Sequence, residues 1–155
     1  MNTSPYMHGT HDKLNIADKM LDGAIRAFLD SKQFFVALNL AGVAEELYGK
    51  AIRLSGGMNS QSSLIELAKS IARLDGDGEL KDSDLFKVSV MHKNGIKHFD
   101  KEEQRYIEID VEDEARSAIG CALTNHTQLD RQFTPNVQRF YEFGRTWSQD
   151  FVKRT

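Results

Sequence analysis

A chain of 155 residues fits one ordinary domain, large enough to bury roughly 70% of its unfolded surface, so a conventional core needs no covalent staples. Cys121 is the lone cysteine, which excludes an intrachain disulfide and a multi-cysteine metal cluster within one chain and points to a reducing compartment. The 20 basic and 23 acidic side chains are spread along the chain and leave a formal charge of −3, which excludes a surface that coats nucleic acid while leaving room for a local basic site.

Residues 1–12 are polar and lack periodicity, so they read as a flexible N-terminal tail with no apolar run like a signal peptide's core. No later stretch approaches the ~20 apolar residues of a membrane span. A soluble, cytoplasmic protein without membrane contact is expected. Residues 13–150 read as a single helical-bundle domain, because no proline interrupts the chain between Pro5 and Pro135.

Leu14, Ala17, Leu21, Ala24 and Phe28 step by three and four, which predicts a first helix over 13–30. The second, about 32–54, is apolar nearly all round, as befits a central helix. At about 100° per residue its polar side chains Asn39, Glu46, Lys50 and Arg53 form one narrow stripe, whereas Glu45 falls among Phe34, Leu38 and Ala41. A charge there must be paired or turned toward a polar cleft, with His92, Lys93 and His98 as partners to consider.

Gly56 and Gly57 end that helix, and Leu64, Leu67, Ile71 and Leu74 mark a third. The following LDGDGELKDSD resembles a calcium loop, but Arg73 stands where the first carboxylate belongs, so it reads as a turn. A fourth helix is predicted from a Ser83 or Asp82 cap to about Phe99, and a charged excursion with room for a short extended piece over 100–110. Acids at 112–114 open a fifth helix, and Thr134-Pro135 caps and starts a sixth. Phe140, Tyr141, Phe143 and Trp147 give the sixth helix more aromatic surface than one face needs, so part of it is open to a partner. The fold class expected is all-α, an antiparallel bundle of about five to six helices.

The segment MHKNGIKHFD, 91–100, gathers His92, Lys93, Asn94, Lys97 and His98 at a helix end. On a continuous helix Asn94 and His98 share a face, and an imidazole moves protons near neutral pH while a cation beside it steadies an oxyanion or phosphate. His126 lies between Ala122 and Leu129 and reads as a core histidine. His92, His98, His126 and Glu45 lack the close pairing of a zinc site, so no metal and no cofactor is expected.

Lys93-Asn94-x3-His98, following two long helices that include ALNLAGVAEELYGKAIR, resembles the motif of the HEPN domains, over about residues 13–132. The resemblance implies a small helical bundle that forms a homodimer and takes part in defence or toxin-antitoxin systems. It also implies a metal-independent endoribonuclease in which His98 is general base or acid, Lys93 stabilises charge and Asn94 orients RNA, with Glu45 and His92 in support. The chain departs from the family pattern at Lys93, where an arginine is usual. An ammonium is a point charge, not a planar fork, so a weak or degenerate ribonuclease, or a binder of RNA or nucleotide phosphate, is expected. The alternative is a non-catalytic protein–protein interaction module with a cognate protein partner.

Overall fold

A computed structural model describes residues 9–76 and 78–154, apart from the side chains of residues 89, 90, 92 and 93. Its helices are α1 (Lys13–Leu29), α2 (Phe34–Leu54), α3 (Ser60–Asp75), α4 (Asp82–Gly95), α5 (Val111–Gln128) and α6 (Pro135–Arg154), with one short 3₁₀ turn at Glu102–Gln104. The described residues contain no strand, and the protein is an all-α bundle. Of the tail expected over residues 1–12, residues 1–8 lie outside the described residues. Asp12 caps α1, its carboxylate accepting from the Leu14 amide at 2.9 Å.

Helix α2 begins at Phe34 because Lys32 adopts a left-handed φ of 54°, which no helix continues through. The four residues 30–33 fold α2 back onto α1, and the Gln33 amide donates to the Ala27 carbonyl at 2.9 Å. Alanines then set the spacing of the core. Ala17 and Ala24 of α1, Ala37, Ala41 and Ala44 of α2, and Ala115, Ala118 and Ala122 of α5 are all buried. Small side chains let three backbones approach closely, and α2 packs chiefly against α1 and α5. Leu21, Ile25, Leu38, Tyr48 and Ile119 fill the remaining space.

Helix α6 lies on α1. The Phe28 ring meets Phe34, Phe140 and Phe143 edge-on at centroid distances of 5.2, 5.7 and 5.3 Å, arrangements favoured by the ring quadrupole. Asn136 Nδ2 donates to Asp22 at 2.8 Å, and Arg139 pairs with Asp30. Of the four aromatic residues singled out in α6, Phe140 and Phe143 therefore pack inward. Tyr141 and Trp147 face out, Trp147 stacking on Phe151 and lying under the Arg116 guanidinium at 4.0 Å.

Helices α3 and α4 flank the body, joined where Lys69 Nζ reaches Asp82 of α4 at 2.7 Å as well as Glu66 at 3.1 Å. Helix α4 stops at Gly95, short of the expected Phe99. Ile107 Cδ1 lies 2.7 Å from where a Gly95 Cβ would stand, so the 100–110 segment closes on the helix end, and residues 96–97 form a turn. That segment is held by the 3₁₀ turn instead of an extended strand.

A polar cluster ties the ends of α1 and α5. Tyr48 donates to Asp18 at 2.6 Å, and Arg131 reaches the same carboxylate through Nε at 3.2 Å and a terminal nitrogen at 2.6 Å. Burial pushes the Asp18 carboxyl up, but the bonds from Arg131 and Tyr48 and the arginine charge outweigh it, and it sits below its ordinary 3.8. Burial raises the Tyr48 phenol further out of range. The same burial lowers His126 below 6.5, outweighing the bond with the Gln132 carbonyl at 3.1 Å.

Both depressed values act in one direction. Each group contributes stability that is present above its unfolded value and lost as pH falls through its folded value. The melting temperature is therefore expected to fall on acidification first below about pH 6.5, as His126 is forced to charge, and again below about 3.8, as Asp18 protonates. Arg131→Ala should lower stability at neutral pH and flatten the second fall, measured by thermal melts across pH 2–8.

Candidate functional site

The interior of the bundle leaves α2 one direction for its polar groups. Glu45, Gly42, Gly49, Arg53, Glu46 and Lys50 fall within about 140° of arc on that helix. Gly42 and Gly49 are buried at the middle of the arc. With no side chains there, the α2 surface is hollowed where α3, α4 and α5 come over it.

Two asparagines fix this approach. Asn59 caps α3, its side-chain oxygen accepting from the Ser62 amide at 2.9 Å while Nδ2 donates to the Gly49 carbonyl at 3.4 Å. Asn125 of α5, 1% exposed, accepts from the Ser60 amide at 2.8 Å and donates to the Glu45 carbonyl at 3.3 Å. A Gly49 Cβ would stand 3.0 Å from Asn59 Nδ2, so glycine is what lets the α3 cap reach α2. One side chain from α5 thus bridges the α3 amino end to the α2 backbone, and both asparagines are buried with partners, as buried polar groups require.

The result is a polar cleft of about 280 Å³ between α2, α3, α4 and α5, lined by Glu45, Glu46, Lys50, Arg53, Asn59, Gln61, Phe86, Asn94, Lys97 and Asn125 beside the two glycines. Lys50 is bound to Glu46 at 2.6 Å. Glu45 is 7% exposed, and the residue that the sequence placed on an apolar face lines this cleft together with Asn94 and Lys97.

Of the expected cluster, Asn94 enters the polar cleft and His98 does not. His98 is exposed beyond the end of α4, its amide donating to the Asn94 carbonyl at 3.1 Å. It lies between two open surface grooves, one of about 680 Å³ shared with Asn94, Met91, Asp100 and Tyr106, the other of about 720 Å³ shared with Lys97, Phe35, Asn39 and Arg105. Asn94 and Lys97 therefore belong both to the polar cleft and to the surface that carries His98. The side chains of His92 and Lys93 lie outside the described residues, as does Asp77 of the calcium-like turn. Among the described residues, no three His, Cys, Asp or Glu side chains are grouped to hold a metal, and no helix is long and apolar enough to cross a membrane.

Arg53, Asn59 and Asn125 join this site without having stood out in the sequence as site-forming residues, whereas Lys97 belongs to the cluster at 91–100. Arg53 and Lys50 were visible as a polar stripe on α2, and Asn59 stands where a helix cap belongs. Nothing local distinguishes Asn125, whose role is set by helices 65 and 80 residues away in sequence. No family model, curated protein or solved structure matches the chain.

Asn125→Ala leaves the Ser60 amide and the Glu45 carbonyl without their buried partner and is expected to cost about 1–3 kcal/mol. The loss should concentrate in α3, seen as faster amide hydrogen exchange over 60–75 than over α1.

Proposed function

We propose that the protein is an HEPN-like binder of RNA or nucleotide phosphate, with its working surface at the end of α4, and that bound RNA is cleaved there without metal. The observation that carries this reading is the placement of Asn94 and Lys97, which join a polar cleft containing further cations to the open surface where His98 stands. A proton-transfer group next to a cationic seat is what phosphodiester cleavage by an internal hydroxyl needs.

In that chemistry His98 takes the proton of a ribose 2′-hydroxyl as its oxygen bonds to the adjacent phosphorus. The bond from phosphorus to the 5′-oxygen breaks, leaving a 2′,3′-cyclic phosphate, and the departing oxygen takes up a proton from solvent water. Lys97 and Lys93 offset charge on the phosphate oxygens, and Asn94 orients the nucleotide. His98→Ala is expected to lower cleavage of mixed RNA in the presence of chelator by roughly 10²–10⁴-fold, with an unchanged helical circular-dichroism spectrum because the side chain is exposed. Equal cleavage by parent and variant would remove His98 from the reaction.

A second reading rests on a different surface. Leu64, Leu67, Ile71 and Leu74 are 50–87% exposed and lie within about 80° of arc on α3, an apolar stripe of the kind that meets another helix. It supports a protein–protein interaction module, the second helix being that of a homodimer partner or a cognate protein. Sedimentation at rising concentration distinguishes them. Self-association by the parent and its loss in Ile71→Asp favours the homodimer, and a parent that stays monomeric leaves the stripe to a different protein.

A further inference from the structure

Resting on the phosphate-binding reading, we infer that the polar cleft seats the phosphate of a single nucleotide unit, with Arg53 of α2 as its bidentate anchor and Lys97, in the turn after α4, as the second cation. Among the described residues, three cations line this cleft, Lys50, Arg53 and Lys97, and they are not equivalent. Lys50 is held by Glu46 at 2.6 Å. Among the described residues, Arg53 and Lys97 have no carboxylate partner. They are the charges free to meet an anion. Arg53 is exposed in the last turn of α2, so its guanidinium is solvated and accessible, and a planar fork matches two phosphate oxygens at once.

Position 93 of the motif offers only an ammonium, whereas Arg53, from a different helix, supplies a guanidinium to this cleft. The cleft volume of about 280 Å³ lies just below the range of small-molecule sites, roughly 300–1,000 Å³, which suits the phosphate end of one nucleotide and no helical stretch of nucleic acid. Asn94 supplies an amide donor and acceptor toward the rest of that nucleotide.

Calorimetric titration at low salt with a nucleoside 5′-monophosphate, and separately with a single-stranded oligoribonucleotide, tests this assignment. Arg53→Ala should weaken binding roughly 10–100-fold, the size expected for loss of a charge-assisted pair. Arg53→Lys should recover only part of that loss, and Arg145→Ala on α6, outside the cleft, should bind as the parent does. Unchanged melting curves for both Arg53 variants separate binding from folding. Binding of the monophosphate alone supports the cleft with a free nucleotide as its ligand; binding of both probes supports a nucleotide within a strand. Parent-like affinity in Arg53→Ala overturns the Arg53 assignment while leaving His98 and RNA cleavage standing, and failure of the parent to bind either probe overturns both readings together.

Discussion

The enclosure of α2 between α1 and α5 governs everything else in this protein. Alanines at Ala17, Ala24, Ala41, Ala44, Ala118 and Ala122 let three helices close to short range, and that closeness leaves α2 almost no surface on which a polar side chain can reach water. Dispersion and apolar burial fix the three helices, and the polar groups of α2 must then emerge along the one arc that α1 and α5 do not cover. Glu45, Glu46, Lys50 and Arg53 lie on that arc, and Gly42 and Gly49 hollow it out. The cleft is therefore a consequence of core packing and not an addition to it.

What closes over the arc is held by directional bonds instead of bulk packing. Helix α3 meets the body through its capped amino end, where Asn59 and Asn125 satisfy the Ser60 and Ser62 amides and the Gly49 and Glu45 carbonyls. Its outer stripe of leucines is left exposed. Such an attachment is precise at one end and light along the rest, so α3 and α4 are the elements whose opening costs least. A site roofed by these helices is rigid at its α2 floor and compliant at its α4 wall, an arrangement that lets a ligand enter without disturbing the core.

The charges of the cleft divide its chemistry. Along α2 the carboxylates Glu45 and Glu46 come before the cations Lys50 and Arg53; Glu46 pairs with Lys50, Glu45 is buried and Arg53 is exposed. The imidazole of His98 stands outside, on the open surface beyond Gly95. In the proposed function, proton transfer and anion binding thus have separate seats, joined by Asn94 and Lys97, which line both.

Much of this was legible in the chain itself. Periodicity located the helices, since apolar residues three and four apart must share a face whatever the rest of the chain does, and the oddness of Glu45 followed from the same geometry. The carboxylate had to find a polar surrounding, and the cleft is that surrounding. Helix ends were less legible. Lys32 takes a left-handed turn, and α4 stops at Gly95, where Ile107, twelve residues on, packs too closely to leave room for a Cβ. The sequence by itself determined the all-α class, the central place of α2 and the gathering of Asn94, Lys97 and His98 near one helix end, because these depend on spacing along the chain. Only the tertiary structure decided that Asn94 turns into a cleft while His98 stays outside, that Arg53 joins them from α2, and that Asn125 pins α3 in place. Those relations join residues tens of positions apart, and no local pattern encodes a contact whose partner is supplied by another helix.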